Sequence, residues 1–312
     1  MGKHSETPFV AQGSTWVEAS DDKGVVRAQA PRWRMDWVAL LIAIAALIGL
    51  SVFLYPRAAM WVSALNESQL VRDHEAATDL NTAAQNELLL DQAREYNAQI
   101  ATGAILEAGA NVPTAADSDE ADAAGSTIYQ NLLRVDDSEV MARLVVPAAS
   151  VDLPVFHGTA DATLRRGVGH LRGTALPVGG DGTRSVLTAH RGLAESKLFN
   201  KLDRVQPGDE FYIQVAGEWL TYRVIDTQVV SPDQTEQIIP LAGRDLVTLV
   251  TCTPIGLNTH RILVTGERVE DAPAPFAEVV QGPGFPWWLV VLGGGAVVLG
   301  VYVWISGRPK VG

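Results

Sequence analysis

Two long runs of uncharged, mostly apolar residues, Trp37–Tyr55 and Phe285–Ile305, stand out from a chain that otherwise alternates between polar and apolar positions. As an α-helix, each run is long enough to cross the roughly 30 Å hydrocarbon layer of a membrane. The first run starts late and lacks a following small-residue cleavage site, which disfavours a removable signal peptide. We therefore expect two retained transmembrane helices.

Basic residues flank the two runs on opposite sides. Arg32 and Arg34 precede the first run, whereas Arg308 and Lys310 follow the second. Because positive flanks favour the cytoplasmic side, both termini are expected in the cytoplasm and the intervening segment outside the cell. The sequence thus predicts a two-pass protein of the cell membrane, with the lipid bilayer as one of its partners.

Changes in composition divide the chain into segments. A narrow apolar stripe among polar residues predicts a helical stalk, and a stretch rich in acidic residues, glycine and proline, 103–127, predicts an acidic lid-like loop after it. The expected segments are a cytoplasmic tail 1–36, a transmembrane helix 37–55, the stalk and loop 56–127, a β-rich domain 128–270, a linker 271–284, a transmembrane helix 285–305 and a cytoplasmic tail 306–312.

Short β-branched stretches separated by turn residues fill the segment 128–270. Pro207-Gly208-Asp209 is one such turn signal. Many short strands with few helical stretches indicate a mainly β fold, either a barrel or a sandwich. The predicted strands are Ala142–Val146, Asp152–Phe156, Ser185–His190, Glu210–Val215, Trp219–Thr227, Leu246–Thr251 and Arg261–Val269.

Charge and cysteine content exclude several functional classes. The formal net charge is −12, which argues against nucleic acid as a partner because phosphate binding needs clustered Lys and Arg. The single cysteine, Cys252, excludes an internal disulfide and a multi-cysteine metal site. No cofactor is predicted, and no acidic cluster stands out clearly enough to predict a metal site, so modulation by a metal stays open.

Cys252 ends a β-branched run that reads as a buried strand. A short turn-like connection follows, and a second strand opens at Arg261. Strands joined in this way are antiparallel neighbours, which brings Cys252 and Arg261 close together. A buried structural thiol and a catalytic thiol both remain open on this spacing, although an unpaired thiol outside the cell is a liability unless it is used.

A thiolate nucleophile needs a proton partner, which is usually a histidine. Of the six histidines, two lie outside the β-rich domain. His260 faces away from its neighbour Arg261 if that arginine points at the cysteine, because strand residues alternate. The candidates that remain are His157, His170 and His190, and each has a packing role as its alternative.

Two segments resemble the active site of sortases. The stretch Thr248-Leu249-Val250-Thr251-Cys252-Thr253-Pro254, with Asn258-Thr259-His260-Arg261 after it, is similar to the family's active-site strands. Leu187-Thr188-Ala189-His190-Arg191-Gly192 is similar to its histidine segment. The resemblance covers roughly residues 128–270 and implies an eight-stranded sortase β-barrel.

The resemblance also implies a role for each site residue. Cys252 corresponds to the nucleophile, His190 to the acid/base and Arg261 to the electrostatic stabiliser. We expect Thr251 and Thr253 to contact substrate, and strand packing is the alternative for Thr251.

Within the family, the Asn-Thr-His-Arg sequence, the second anchor and the helical extension look most like class C, the pilus-assembling sortases of Gram-positive cell surfaces. The implied reaction cleaves a Leu-Pro-x-Thr-Gly-like sorting signal through a thioacyl intermediate and joins it to a pilin lysine. The alternative is a housekeeping sortase that attaches surface proteins to cell-wall peptide. Residues 103–127 lack the Asp-Pro-aromatic motif that is common in class C lids. An inhibitory lid and a loop that does not cover the site therefore stay as alternatives for this segment.

Readings from other protein classes fit less well. A cysteine L,D-transpeptidase requires a Ser-x-Gly-Cys context, which is absent around Cys252. A papain-like protease places a helix beneath its cysteine, whereas the residues before Cys252 predict a strand. A non-catalytic scaffold with two anchors remains as an alternative, and it would tolerate Cys252→Ala without loss of function.

Overall fold

The computed structural model describes residues 33–101, 128–135, 139–194, 196–270 and 282–309. Most of the predicted N-terminal tail, the acidic loop and most of the linker lie outside these ranges. The helices of the described chain are α1 (Trp37–Leu80), α2 (Ala83–Ala101), α3 (Asp161–Arg166) and α4 (Trp287–Ser306), together with a short helical turn at 128–131.

Helix α1 joins the first apolar run and the polar stalk in one element. The predicted transmembrane segment ends at Tyr55, and the helix itself continues through Pro56. Proline removes one backbone hydrogen bond, and strong helix formers such as alanine and leucine follow it. After α1 ends, Thr82 and Gln85 exchange hydrogen bonds of 2.8 and 3.3 Å in a capping box that starts α2.

Eight strands close into a barrel in the order β1-β2-β3-β4-β7-β8-β6-β5. The pairs β2–β3 and β4–β7 are parallel and the others antiparallel. The expected mainly β, eight-stranded fold is confirmed, and each of these strands pairs with a neighbouring strand on both sides. The strands are β1 (Val140–Val146), β2 (Val151–His157), β3 (Val168–His170), β4 (Arg184–Thr188), β5 (Glu210–Val215), β6 (Glu218–Val230), β7 (Leu246–Thr253) and β8 (His260–Val269).

Strand β7 is buried on both faces, which explains its nearly continuous apolar sequence. Leu249 belongs to the main core of the barrel. Val250 instead packs on the outer face with Leu263 and Val186, where Ile238 from the β6–β7 connection covers them. Because neighbouring residues alternate, Cys252 shares the outer face with Val250. The outer face of β4, β7 and β8 therefore forms an apolar floor leading to the cysteine.

Polar contacts attach the long helices to the barrel. The side chain of Arg143, which is 2% exposed, donates to Glu75 of α1 at 2.5 Å and to Asp152 of β2 at 2.7 Å. About two turns earlier in α1, Glu67 accepts a 2.9 Å hydrogen bond from the hydroxyl of Ser196. Helix α1 thus contacts both the barrel wall and the loop that follows β4.

Helices α1 and α4 pack against each other beside the barrel. The indole of Trp33 donates to the Trp304 carbonyl at 3.0 Å, and the indole of Trp61 donates to the Gly284 carbonyl at 2.7 Å. The Trp61 and Trp288 rings meet edge to face at 6.4 Å. Both helices are long and apolar enough to cross a membrane.

Candidate active site

The antiparallel pairing of β7 with β8 sets Cys252 directly opposite Arg261. Residues opposite each other in such a pair project their side chains to the same face of the sheet. The short connection between the two strands predicts that these residues lie close together, and the observed register pairs them directly. His260 pairs with Thr253, one position along, and therefore projects to the other face.

The parallel pairing of β4 with β7 brings the histidine segment to the same end of the barrel. The last paired residues are Thr188 and Val250. Beyond them, the Ala189 N–H donates to the Val250 carbonyl at 3.2 Å, and the Thr251 hydroxyl donates to the Ala189 carbonyl at 2.7 Å. These bonds carry the register one step past β4, so that His190 lies at the level of Cys252.

The three predicted catalytic side chains lie at one rim of the barrel, each accessible to solvent. Cys252, His190 and Arg261 are all partly exposed. Within the described part of the chain, the thiol makes no hydrogen bond. The Arg261 Nη1 donates to the carbonyls of Asn258 and His260 at 2.9 and 3.0 Å, which fixes the guanidinium against the β7–β8 connection.

Asp161 also lies at the site, although the sequence pattern does not predict it there. It lies in the first turn of α3, and its Oδ1 is 3.1 Å from Nε2 of His190. The hydrogen bond from Arg165 and then that from His190 hold the pKa of Asp161 below its usual value. The spacing to Arg165 is a recognisable helical pair, but no local signal links Asp161 to His190, 29 residues away.

The two threonines beside Cys252 face the side opposite the thiol. Thr251 is 1% exposed, and its hydroxyl is engaged with Ala189. This placement fits the strand-packing alternative for Thr251. Thr253 is half-buried, and its hydroxyl accepts a 3.0 Å hydrogen bond from Nη1 of Arg191.

The other two candidate histidines are packing residues. His170 is fully buried, and its Nδ1 lies 2.8 Å from the Tyr129 hydroxyl. His157 contacts the Leu132 carbonyl through Nε2 at 2.9 Å. Burial lowers the pKa of each of these histidines to about 4, so both are neutral near pH 7. Their hydrogen bonds join the segment before β1 to the barrel.

Together, these features define the kind of site present. A partly exposed thiol, with a histidine and an arginine at the same level of the neighbouring chain segments and at the rim of a closed β-barrel, suits nucleophilic acyl chemistry. Residues 144–269 match the family model described as the sortase domain. The chain belongs to the sortase family, whose members are cysteine transpeptidases.

Solved structures of class C sortases resemble this chain over nearly their whole length. Sortase C-1 from Actinomyces oris is 43% identical, with 60% of this chain and 98% of that chain covered and a TM-score of 0.54. Sortase C1 from Streptococcus agalactiae is 33% identical, with 65% and 100% covered and a TM-score of 0.58. These similarities support the class C resemblance of the sequence.

Among curated proteins, similarity extends to other sortase classes. Sortase A of Bacillus anthracis is 27% identical over 43% of this chain and 62% of its own length. Sortase D of Bacillus subtilis is 27% identical over 40% of this chain and 62% of its own length. This chain therefore spans about three fifths of the length of these curated relatives.

Proposed function

We propose that this protein is a membrane-anchored transpeptidase that polymerises pilins. The observation that carries the proposal is the register that sets Cys252 opposite Arg261 while β4 brings His190 to the same level. The class C similarity adds the substrate class: one similar structure, Streptococcus pneumoniae Sortase C, is described in terms of pilin substrate specificity. The substrate would be a pilin with a Leu-Pro-x-Thr-Gly-like sorting signal.

In the first half-reaction, the Cys252 thiolate attacks the carbonyl carbon of the threonine in the Thr–Gly bond. Arg261 donates hydrogen bonds to the resulting oxyanion through its planar, fork-shaped guanidinium. The C–N bond then breaks, and His190 gives its proton to the departing glycine amine. A thioester between the pilin threonine and Cys252 remains.

In the second half-reaction, a lysine amine of the next pilin attacks the thioester. His190 takes the proton from this amine, the C–S bond breaks, and the Cys252 thiolate is restored. The product is an isopeptide bond between the threonine carboxyl carbon and the lysine Nζ. The cycle consumes one sorting signal and one amine and needs no external reductant or oxidant.

The membrane supports this chemistry by holding the enzyme where its substrates arrive. We propose that α1 and α4 both cross the bilayer, with the termini in the cytoplasm and the barrel outside the cell. The basic residues Arg34 and Arg308 lie at one end of this helix pair. Pilins that are themselves anchored would then meet the barrel rim in the same plane.

Co-expression with a pilin that carries the sorting signal tests the proposal. Wild-type enzyme is expected to give a ladder of covalent pilin polymers, and Cys252→Ala is expected to give none. An undiminished ladder with Cys252→Ala, or no polymer with wild type, would contradict the proposed function. His190→Gln serves as a second loss-of-function variant because it removes the proton carrier while keeping a polar side chain.

The choice of amine separates pilus assembly from wall attachment. Some similar proteins are named Sortase A, so the housekeeping alternative, attachment of surface proteins to cell-wall peptide, is tested as well. Purified enzyme is offered a sorting-signal peptide with either a pilin lysine or a cell-wall peptide amine. Preferential joining to the pilin lysine supports polymerisation, whereas preference for the wall peptide supports the housekeeping alternative.

A further inference from the structure

Arg191 directly follows the predicted acid/base histidine, and its side chain is almost entirely buried. The side chain is 9% exposed, and its guanidinium contacts three residues, one on β7 and two in the loop between β4 and β5. Nη1 donates to the Thr253 hydroxyl at 3.0 Å, Nε donates to the Asn200 carbonyl at 3.3 Å, and Nη2 lies 2.9 Å from a carboxylate oxygen of Asp203. This residue is therefore a junction between elements, not a surface charge.

The contact with Thr253 lies one residue beyond the catalytic pair on both strands. On the near side, the Thr251 hydroxyl donates to the Ala189 carbonyl. On the far side, Arg191 donates to Thr253. Cys252 on β7 and His190 in the segment that follows β4 are the residues between these two links. The two links therefore set the separation of the strand ends that carry the thiol and the imidazole.

The remaining contacts of Arg191 fix the loop that returns after the histidine. The Phe199 N–H donates to the His190 carbonyl at 3.2 Å, and the Asn200 carboxamide oxygen accepts a hydrogen bond from the Gly192 N–H. Arg191 donates to the carbonyl of the same asparagine. The backbone on both sides of His190 is thereby held by hydrogen bonds.

An arginine suits this junction because a planar guanidinium offers five N–H donors in a fixed fork. Lysine carries the same charge but cannot direct donors to three acceptors in this way. Asp203 lies beside Nη2 and offsets the charge of Arg191, so the effect of the residue on Cys252 is expected to come from geometry.

We propose that Arg191 is a positioning residue that, through Thr253, holds His190 and Cys252 at the separation that the reaction requires. The proposal rests on the proposed transpeptidase function. It also gives Thr253 a structural task at the rear of the site in place of the substrate contact that the sequence analysis expects. A misplacement of about 1 Å can cost on the order of a hundredfold in rate.

The test compares full-length Arg191→Met, Arg191→Lys, Thr253→Val and the double variant Arg191→Met/Thr253→Val. Arg244→Met is the matched control, because Arg244 also forms a forked ion pair, at 2.7 Å from Glu267. Arg244 precedes β7 and Glu267 lies on β8, at the end of this strand pair away from Cys252. For each variant, kcat and KM are measured with a sorting-signal peptide. The pH dependence of Cys252 alkylation is measured separately, and the melting temperature reports on folding.

Arg191→Met and Arg191→Lys are expected to lower kcat by about tenfold to a hundredfold, with KM changed by less than about threefold. Thr253→Val is expected to lower kcat by a smaller factor, and the double variant to be no worse than Arg191→Met, because both changes break one link. Both residues are also expected to alter the pH profile of alkylation, while Arg244→Met matches wild type.

Three results would overturn the proposal. The first is a normal kcat and pH profile in folded Arg191→Met. The second is full activity of Arg191→Lys, which would assign the effect to charge. The third is a raised KM with unchanged kcat in Thr253→Val, which would make Thr253 a substrate contact; this variant also decides the matter if Arg191→Met does not fold. If wild-type enzyme does not join a sorting signal to an amine, the proposed function is contradicted instead. Alkylation of Cys252 reports on the site without substrate, so the two failures can be told apart.

Discussion

Gly192, two residues after the predicted acid/base histidine, has a backbone φ of +83° and packs against Ile255 of the β7–β8 connection. A Cβ at this position would collide with the Ile255 side chain. Glycine is required here for two reasons, since the left-handed backbone disfavours other residues and the space is already filled. The loop that follows His190 and the β7–β8 connection after Cys252 are therefore in direct contact at Gly192 and Ile255.

Gly192→Ala is expected to impair activity more than stability alone explains. The left-handed backbone costs about 1–2 kcal/mol for alanine, and relief of the collision moves the loop that carries His190. We expect kcat to fall by on the order of tenfold. Gly208→Ala is the control, because Gly208 has a φ of +98° but open space around its missing Cβ. Equal activity losses in the two variants would contradict this prediction.

The buried His170 is expected to make the folded protein less stable in mild acid. Burial lowers the pKa of His170 from 6.5 to about 4 in the folded state. Between these values, the unfolded chain binds a proton that the folded chain does not, so the free energy of unfolding falls as the pH falls. The loss approaches about 3 kcal/mol for this residue near pH 4 and is absent above about pH 7.

Denaturant unfolding of wild type and His170→Gln across this pH range measures the effect. The variant is expected to be less stable at neutral pH but to lose less stability on acidification. A residual slope is expected from His157, whose pKa is also lowered to about 4. Parallel pH dependences in the two proteins would show that His170 does not carry the effect.

At the scale of elements, the attachment of α1 to the barrel depends on a buried arginine. Arg143 on β1 contacts Glu75 of α1 and Asp152 of β2. Removing one partner of a buried charge cluster typically costs about 3–5 kcal/mol, because the remaining charges lose their compensation. Arg143→Met is therefore expected to destabilise the protein by about this amount, as measured by denaturant unfolding.

Arg94→Ala provides the comparison for this prediction. Arg94 on α2 also contacts two carboxylates, those of Glu87 and Asp91, but its side chain is 42% exposed. Exposed ion pairs typically contribute less than about 1 kcal/mol. A loss in Arg143→Met as small as that in Arg94→Ala would mean that the cluster does not hold the helix to the barrel.

Element by element, the sequence predicts what local pattern determines. The β-branched run before Cys252 predicts strand β7, and the short connection to Arg261 predicts the β7–β8 hairpin. The sequence pattern does not predict strand β3, because its three residues, Val168–His170, are too few to show alternation. The continuity of α1 through Pro56 is also missed, since a proline usually marks a helix boundary.

Site contacts between segments that are distant in sequence are not predicted by the local residue pattern. Proximity of Cys252 and Arg261 follows from one hairpin, whereas His190 comes to the level of Cys252 through parallel pairing of residues 62 positions apart. The residue pattern alone leaves three histidines open, and family resemblance selects one of them. The contact of Asp161 with His190 and that of Arg191 with Thr253 depend on the closed barrel and have no local signature.

On the scale of the whole molecule, one helix links the apolar run to the barrel without a break. Helix α1 begins at Trp37, packs along α4, and reaches Glu75, where it contacts Arg143. On the way, Glu67 bonds to Ser196 in the loop that follows the histidine segment. If α1 and α4 cross the bilayer as proposed, the barrel rim has a fixed orientation relative to the membrane surface.

Labelling of the single cysteine tests this membrane arrangement directly. In intact cells, a membrane-impermeant maleimide is expected to label Cys252 in the wild-type protein and nothing in Cys252→Ala. Adding Ser14→Cys to Cys252→Ala places the thiol in the N-terminal tail, where labelling is expected only after the cells are permeabilised. Labelling of Ser14→Cys in intact cells, or of Cys252 only after permeabilisation, would contradict the proposed topology, because positive flanking residues would then face the exterior.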